Sequence, residues 1–327
     1  MKLPKNGLLV AIIIFLCLAI LLVAFIFLRP RLVQKTEVER PMPDVMRSLA
    51  QDENVDWMAG LWVDIENYPI NPTRATETID VYEYDGGEIE AVVTVQNGLE
   101  SEQDYYFMLF SDGIPIEFRI GEKYYQKYDV TLTNEPTSVE LTITPLFNQN
   151  LGRLDVVLIY DEDPLADFYL TSYSLWMDQP KEAIVPADSL ATIPQRSGLR
   201  DRFLDGAYSA WVWPESTEIE EESFIAPREI SISRGDEILL EAIASSDCSY
   251  RTSLFIDGNP LLFCLGNCQE ESTYFDWTSH STDMFQRSIL LTESSVCSGS
   301  FYTISIPLST ELSLPVLASP KIKISVA

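Results

Sequence analysis

The chain is poor in histidine, in positive charge and in amphipathic helix. Among 327 residues there is a single histidine, His280. A Ser-His or Cys-His nucleophile would have only that imidazole to draw on, and nothing in TSHST ties it to a nucleophile. No phosphate-cradling glycine loop and no H-E-x-x-H metal motif occurs. Fifty acids supply many carboxylate pairs of the kind that hydrolyse glycosides, and none stands out; the sequence reads as a non-enzyme. Lys and Arg number 22 against 50 Asp and Glu, for a formal charge of −28. The first 40 residues are net +4, so the remainder is net −32. Such a field repels nucleic acid and anionic headgroups, which excludes nucleic-acid binding. Acceptor sites of the form N-x-S/T are absent once x = Pro is discounted, which fits a prokaryotic surface at least as well as a eukaryotic one.

What is present begins with LLVAIIIFLCLAILLVAFIFL, residues 8–28, which carries no charged side chain. A run of about 20 apolar residues is what a helix needs to cross hydrocarbon. Its end, Phe27-Leu28-Arg29-Pro30, is a poor signal-peptidase site, and Cys17 sits mid-run behind Leu16, unlike a lipidated cysteine. The run predicts one uncleaved membrane anchor, a single-pass attachment to the cell membrane. Arg29, Arg31, Lys35 and Arg40 outnumber Lys2 and Lys5, which by the positive-inside rule alone would place the body in the cytoplasm. The downstream cysteines and the β-rich body argue the opposite. The reading adopted is an extracytoplasmic body on a polar stalk, residues 29–56.

From Gly60 the apolar residues recur with period two. GEIEAVVTV (87–95) and TSVELTIT (137–144) alternate, and RLDVVLIY (153–160) is read in the same way as a half-buried strand. Turn signals such as Asp85-Gly86-Gly87 and Asp112-Gly113 separate these runs. Parallel strands would need long crossovers, for which no helical pattern is present. The chain also repeats itself. LFSDGIPIEF (109–118) returns as LFIDGNPLLF (254–263); around it, IDVYEYDGGEI (79–89) aligns with ISISRGDEI (230–238), and GLWVDI (60–65) with AYSAWV (207–212). The order of elements matches, so a whole domain is read as duplicated. Asp-Gly supplies the positive φ of a tight turn, which makes the repeated stretch a folding feature.

The expected fold is mainly β: an N-terminal transmembrane helix within 1–28, the stalk, then two tandem immunoglobulin-like antiparallel β-sandwiches at 57–178 and 206–327. A Pro-spaced linker or strap, 179–205, joins them. The closing strand KIKISV, with Ile322, Ile324 and Val326 inward and Lys321 and Lys323 outward, is read as a sheet edge.

Four cysteines, Cys248, Cys264, Cys268 and Cys297, fall in the second copy only. Outside the cytoplasm they predict two disulfides, each joining Cys264 or Cys268 to Cys248 or Cys297, rather than a zinc site. Asp161, Glu162, Asp163 and Asp167 crowd one turn and form a weak Ca²⁺ candidate, against which stands a solvated acidic turn; no other cofactor is expected. Trp211 and Trp213 flank Val212, so on a strand they share a face. That face is either a stacking surface for sugar rings or part of a core. Tyr105-Tyr106-Phe107 and Tyr124-Tyr125 pose the same choice. The function expected is protein interaction or assembly at the cell surface, as accessory, adhesin-like or scaffold protein. The alternative is a carbohydrate or cell-wall binding module, and behind it a carboxylate-pair glycosidase.

Overall fold

The computed structural model describes residues 59–75, 80–98, 101–133, 135–145, 152–160, 170–177, 192–194, 209–214, 229–233, 236–243, 248–265, 271–279, 283–291, 298–308, 316–319 and 321–326. The membrane anchor read at 8–28 and the stalk at 29–56 lie outside the described residues. Among the described residues no helix is long and apolar enough to cross a membrane. The described chain is β, without helix.

The first half opens with β1 (Ala59–Ile65), β2 (Val81–Tyr82), β3 (Ile89–Asn97) and β4 (Gln103–Ser111). It continues through β5 (Ile114–Ile116), β6 (Phe118–Ile120), β7 (Lys123–Tyr125) and β8 (Tyr128–Leu132). β9 (Thr137–Ile143), β10 (Arg153–Tyr160) and β11 (Leu170–Met177) complete it. The second half adds β12 (Thr192–Pro194), β13 (Ser209–Pro214), β14 (Glu229–Ile232), β15 (Glu237–Ile243) and β16 (Cys248–Ile256). Next come β17 (Asn259–Pro260), β18 (Phe263–Leu265), β19 (Glu271–Ser272) and β20 (Tyr274–Ser279). β21 (Asp283–Leu291), β22 (Gly299–Pro307), β23 (Leu317–Ala318) and β24 (Ile322–Val326) end the chain.

These strands form four sheets whose order repeats. Sheet A runs β1-β3-β9-β6-β7, and sheet C runs β13-β15-β21-β18-β19. Sheet B runs β2-β11-β10-β4-β5 with β8 also on β4; sheet D runs β14-β24-β22-β16-β17 with β20 also on β16. Even the exceptional pairing recurs: β2 lies parallel to β11, as β14 lies parallel to β24. Sheet C gains β12 and sheet D gains β23. Thr192–Pro194, inside the segment read as linker, is thus a strand against β21.

Three apolar cores separate the sheets. Leu61, Val93, Phe107, Leu158 and their neighbours fill the space between A and B. Leu240, Ile289, Trp277 and Phe301 fill that between C and D. The third core joins the halves: Tyr106, Met108, Phe110, Val157 and Ile159 of sheet B meet Phe255, Tyr302, Ile304 and Ile306 of sheet D. Sheets therefore stack A, B, D, C, and Asp56–Ala327 forms one compact unit.

Two expectations change. β10 was expected to alternate, yet all eight of its residues are buried. Sheet B has a core on each side, so both of its faces exclude water. β24 is not an edge, since it lies between β14 and β22. Ile322 and Ile324 are buried and Lys323 is exposed beside Glu229 at 3.2 Å, as read, whereas Lys321 is half-buried and donates to Tyr160 O at 2.9 Å.

Candidate functional site

The two copies of the repeated hairpin meet at the seam between sheets B and D. In each, the turn residues have positive φ, 47° and 81° for Asp112 and Gly113, 48° and 80° for Asp257 and Gly258. Each aspartate also ties the start of the neighbouring strand. Asp112 accepts from the backbone N–H of Gly152 and Arg153 at 3.1 and 2.9 Å. Asp257 accepts from Ser300 N–H at 2.9 Å. Phe110 and Phe255, equivalent residues of the hairpins, meet edge to face across the seam with centroids 6.0 Å apart. Gly113 lies against the Arg251 side chain and Gly258 against Lys127 and Tyr106, so a Cβ would crowd the opposite half at Gly113 and force Lys127 to move at Gly258.

Buried charge gathers here. Arg251 pairs with Asp276 through Nε and Nη2, at 2.8 and 2.9 Å, and donates from Nη1 to the carbonyl of Asp112 at 3.0 Å. Burial would lower the Arg251 pKa, but Asp276 more than compensates and it rises above the ordinary arginine value. Arg153 Nε grips both oxygens of Asp155 at 2.8 and 2.9 Å, and the Ser174 hydroxyl donates to the same carboxylate at 2.6 Å. Burial nonetheless pushes the Asp155 carboxyl above its usual value, with Arg153 and Ser174 opposing. Each of these carboxylates is engaged in holding strands or guanidinium groups, which assigns them to architecture.

An open cleft of about 590 Å³ lies at one end of the first half, lined by Asn67, Tyr68, Pro69, Glu83, Tyr84 and Asp85. Tyr68 donates to Gly86 O at 2.6 Å and Tyr84 to Gly87 O at 3.0 Å, and the rings meet edge to face at 5.1 Å. Burial pushes the Tyr84 phenol up to about 12, helped by the charge that would form on Tyr68.

The aromatic runs divide. Tyr105 and Phe107 belong to the core between sheets A and B, and Tyr106 to the seam. Tyr124 is 67% exposed, while Tyr125 stacks on Phe118. Trp211 lies opposite Glu241 and Trp213 opposite Leu239, whereas Val212 lies opposite the core residue Leu240. Direct cross-strand partners share a face, so the two tryptophan positions are on the side of sheet C away from the core. Cys248 and Cys264 are both buried, on sheets D and C. Cys248, expected as a disulfide half, instead carries a thiol whose Sγ donates to Ser249 O at 3.1 Å, so the expected pair of bridges does not include it. Cys268, Cys297, His280 and the acidic turn of Asp161, Glu162, Asp163 and Asp167 lie outside the described residues. Sequence reading missed the seam. Its signal was the unbroken apolar runs YYFMLF (105–110) and VVLIY (156–160), which period-two reading passed over.

No family model and no curated protein matches the chain. Among solved structures it is similar to a glycosyl hydrolase family 2 member from Bacteroides cellulosilyticus, with 12% identity and a TM-score of 0.21. The match covers 85% of this chain and 30% of that one. So low a score bears on neither fold nor function.

Proposed function

We propose that this is a membrane-anchored, extracytoplasmic protein of two tandem immunoglobulin-like sandwiches, working in protein interaction or assembly at the cell surface. The seam carries the reading. Two sandwiches that share a buried core form a single platform, and the outer sheet A remains as a surface for protein partners. The repeated strand order supports duplication as its origin. Its buried carboxylates hold the fold together, which favours a scaffold over a carboxylate-pair glycosidase.

Two measurements on intact cells test this. Added protease digests the body and leaves a membrane-embedded fragment containing residues 8–28. Cross-linking of the full chain in its membrane yields a discrete complex with another protein. A body protected until lysis, or a chain that cross-links to nothing, would sink the reading.

A further inference from the structure

The two outer sheets occupy equivalent places and carry different chemistry. Ile89 lies opposite Ile143, and Ile238 opposite Ile289, which sets β3 and β15 in register. Two residues on, Ala91 faces Ile65 and Leu240 faces Val212. Ile65 and Val212 are therefore equivalent, and so are Asp64 with Trp211 and Glu66 with Trp213. The first half builds this strand with two acids on its outer face. The tryptophans of the second half are consequently not something the fold demands.

The register continues outward from each. Glu241 lies opposite Gln286 and Leu239 opposite Ser288, giving the rows Trp211–Glu241–Gln286 and Trp213–Leu239–Ser288 on the outer face of sheet C. β13 is an end strand, paired only with β15 among the described residues.

We propose that this face binds an uncharged saccharide chain. Sugar rings offer an apolar face for stacking on indole and hydroxyls round their rim for a carboxylate, carboxamide or hydroxyl. Here those partners are interleaved with the aromatics, whereas the centre of a protein interface is depleted in charge. The two tryptophan positions stand about 7 Å apart along the strand on one face. Glu237, on the same face, and the net −32 beyond residue 40 oppose polyanionic glycans. The site goes beyond the assembly reading and does not depend on it.

The test uses the full-length chain in detergent micelles, titrated with cellohexaose and with chitohexaose. Tryptophan fluorescence and calorimetry read the binding. Saturable binding to at least one hexaose is expected, weakened roughly ten-fold or more by Trp211→Ala with Trp213→Ala. Trp211→Phe with Trp213→Phe, which keeps the rings, stays within a few-fold of the parent, and so does Trp62→Ala on sheet A. Polygalacturonate does not bind. No saturable binding to either hexaose overturns the proposal, as does binding indifferent to the double alanine change. A fall in Tm as large as that of a core truncation would show the rings packed beneath protein, and overturns it too. In each failure the cross-linking result stands on its own, so the assembly reading is judged separately.

Discussion

Positions 106 and 127 of the first half hold tyrosine and lysine, and their equivalents 251 and 274 in the second hold arginine and tyrosine. Ring and cation have changed places. Lys127 Nζ sits 4.9 Å from the centre of the Tyr106 ring, and the Arg251 guanidinium 4.5 Å from that of Tyr274. The carboxylate stays put: Asp129 faces Tyr106 across the strands as Asp276 faces Arg251. What differs is depth. The Lys127–Asp129 pair spans 3.3 Å with the aspartate side chain 70% exposed, while Asp276 is fully buried. Strand register, then, preserves the contact and leaves the identity of each partner open. Both cations reach the opposite hairpin, but differently: Arg251 donates to the carbonyl of Asp112 at 3.0 Å, whereas Lys127 lays its aliphatic stem against Gly258.

The comparison breaks most visibly at the shared core. Phe110→Ala and Phe255→Ala should each cost about 3–5 kcal/mol in denaturant unfolding of the full chain. The double variant should lose less than the sum by roughly 0.5–1.5 kcal/mol, because each ring already lacks its partner. Strict additivity would show that the rings do not share one site.

The ion pairs give a contrast of similar size on one side only. Asp276→Asn leaves Arg251 buried without a counter-charge and should cost about 3–5 kcal/mol. Asp129→Asn, at the equivalent exposed position, should cost under about 1 kcal/mol by the same melts. Equal losses would contradict the difference in burial.

Smaller effects distinguish the two aspartates of the repeated turn. Asp112→Ala strands two buried backbone N–H groups and should destabilise by about 1–3 kcal/mol. Asp257→Ala frees only the Ser300 N–H, which can turn to water, and should cost less. The smallest effect concerns Tyr84, which strand register sets equivalent to Ile232 of the other half. Its folded pKa lies above the ordinary tyrosine value of 10.0, at about 12. Its stabilising contribution is therefore complete below pH 10 and is lost as pH rises toward 12. In an ultraviolet titration, Tyr84→Phe should remove one phenol from the late part of the curve; an unchanged curve would refute the shift.

Much of this was legible. The β class followed from alternation in 87–95 and 137–144, and the repeated hairpin stretch lies in corresponding strands, with Phe110 opposite Pro115 and Phe255 opposite Pro260. The layer order was not legible, because a sheet covered on both faces differs from a half-covered one only in losing polar residues from its outer side. KIKISV misled for a related reason. Outward lysines mark a wet face, whereas an edge is defined by what pairs laterally, and β14 arrives from about 90 residues earlier. Nor could the reach of Asp112 to residues 152 and 153 be read, since a turn aspartate looks the same whether or not it ties a distant strand. For Trp211 and Trp213, the sequence could say that they share a face but not which one.

Burial of the inner sheets on both sides also sets a clock. An amide on sheet A or C can open toward water by a local fluctuation of one strand. Those of β4, β10, β16 and β22 sit between two cores and can reach solvent only if the seam parts or a whole half unfolds. Deuterium should therefore enter these four strands last and nearly together. A substitution that loosens the seam, such as Phe110→Ala, should quicken exchange in β16 and β22 of the other half before it touches sheet C.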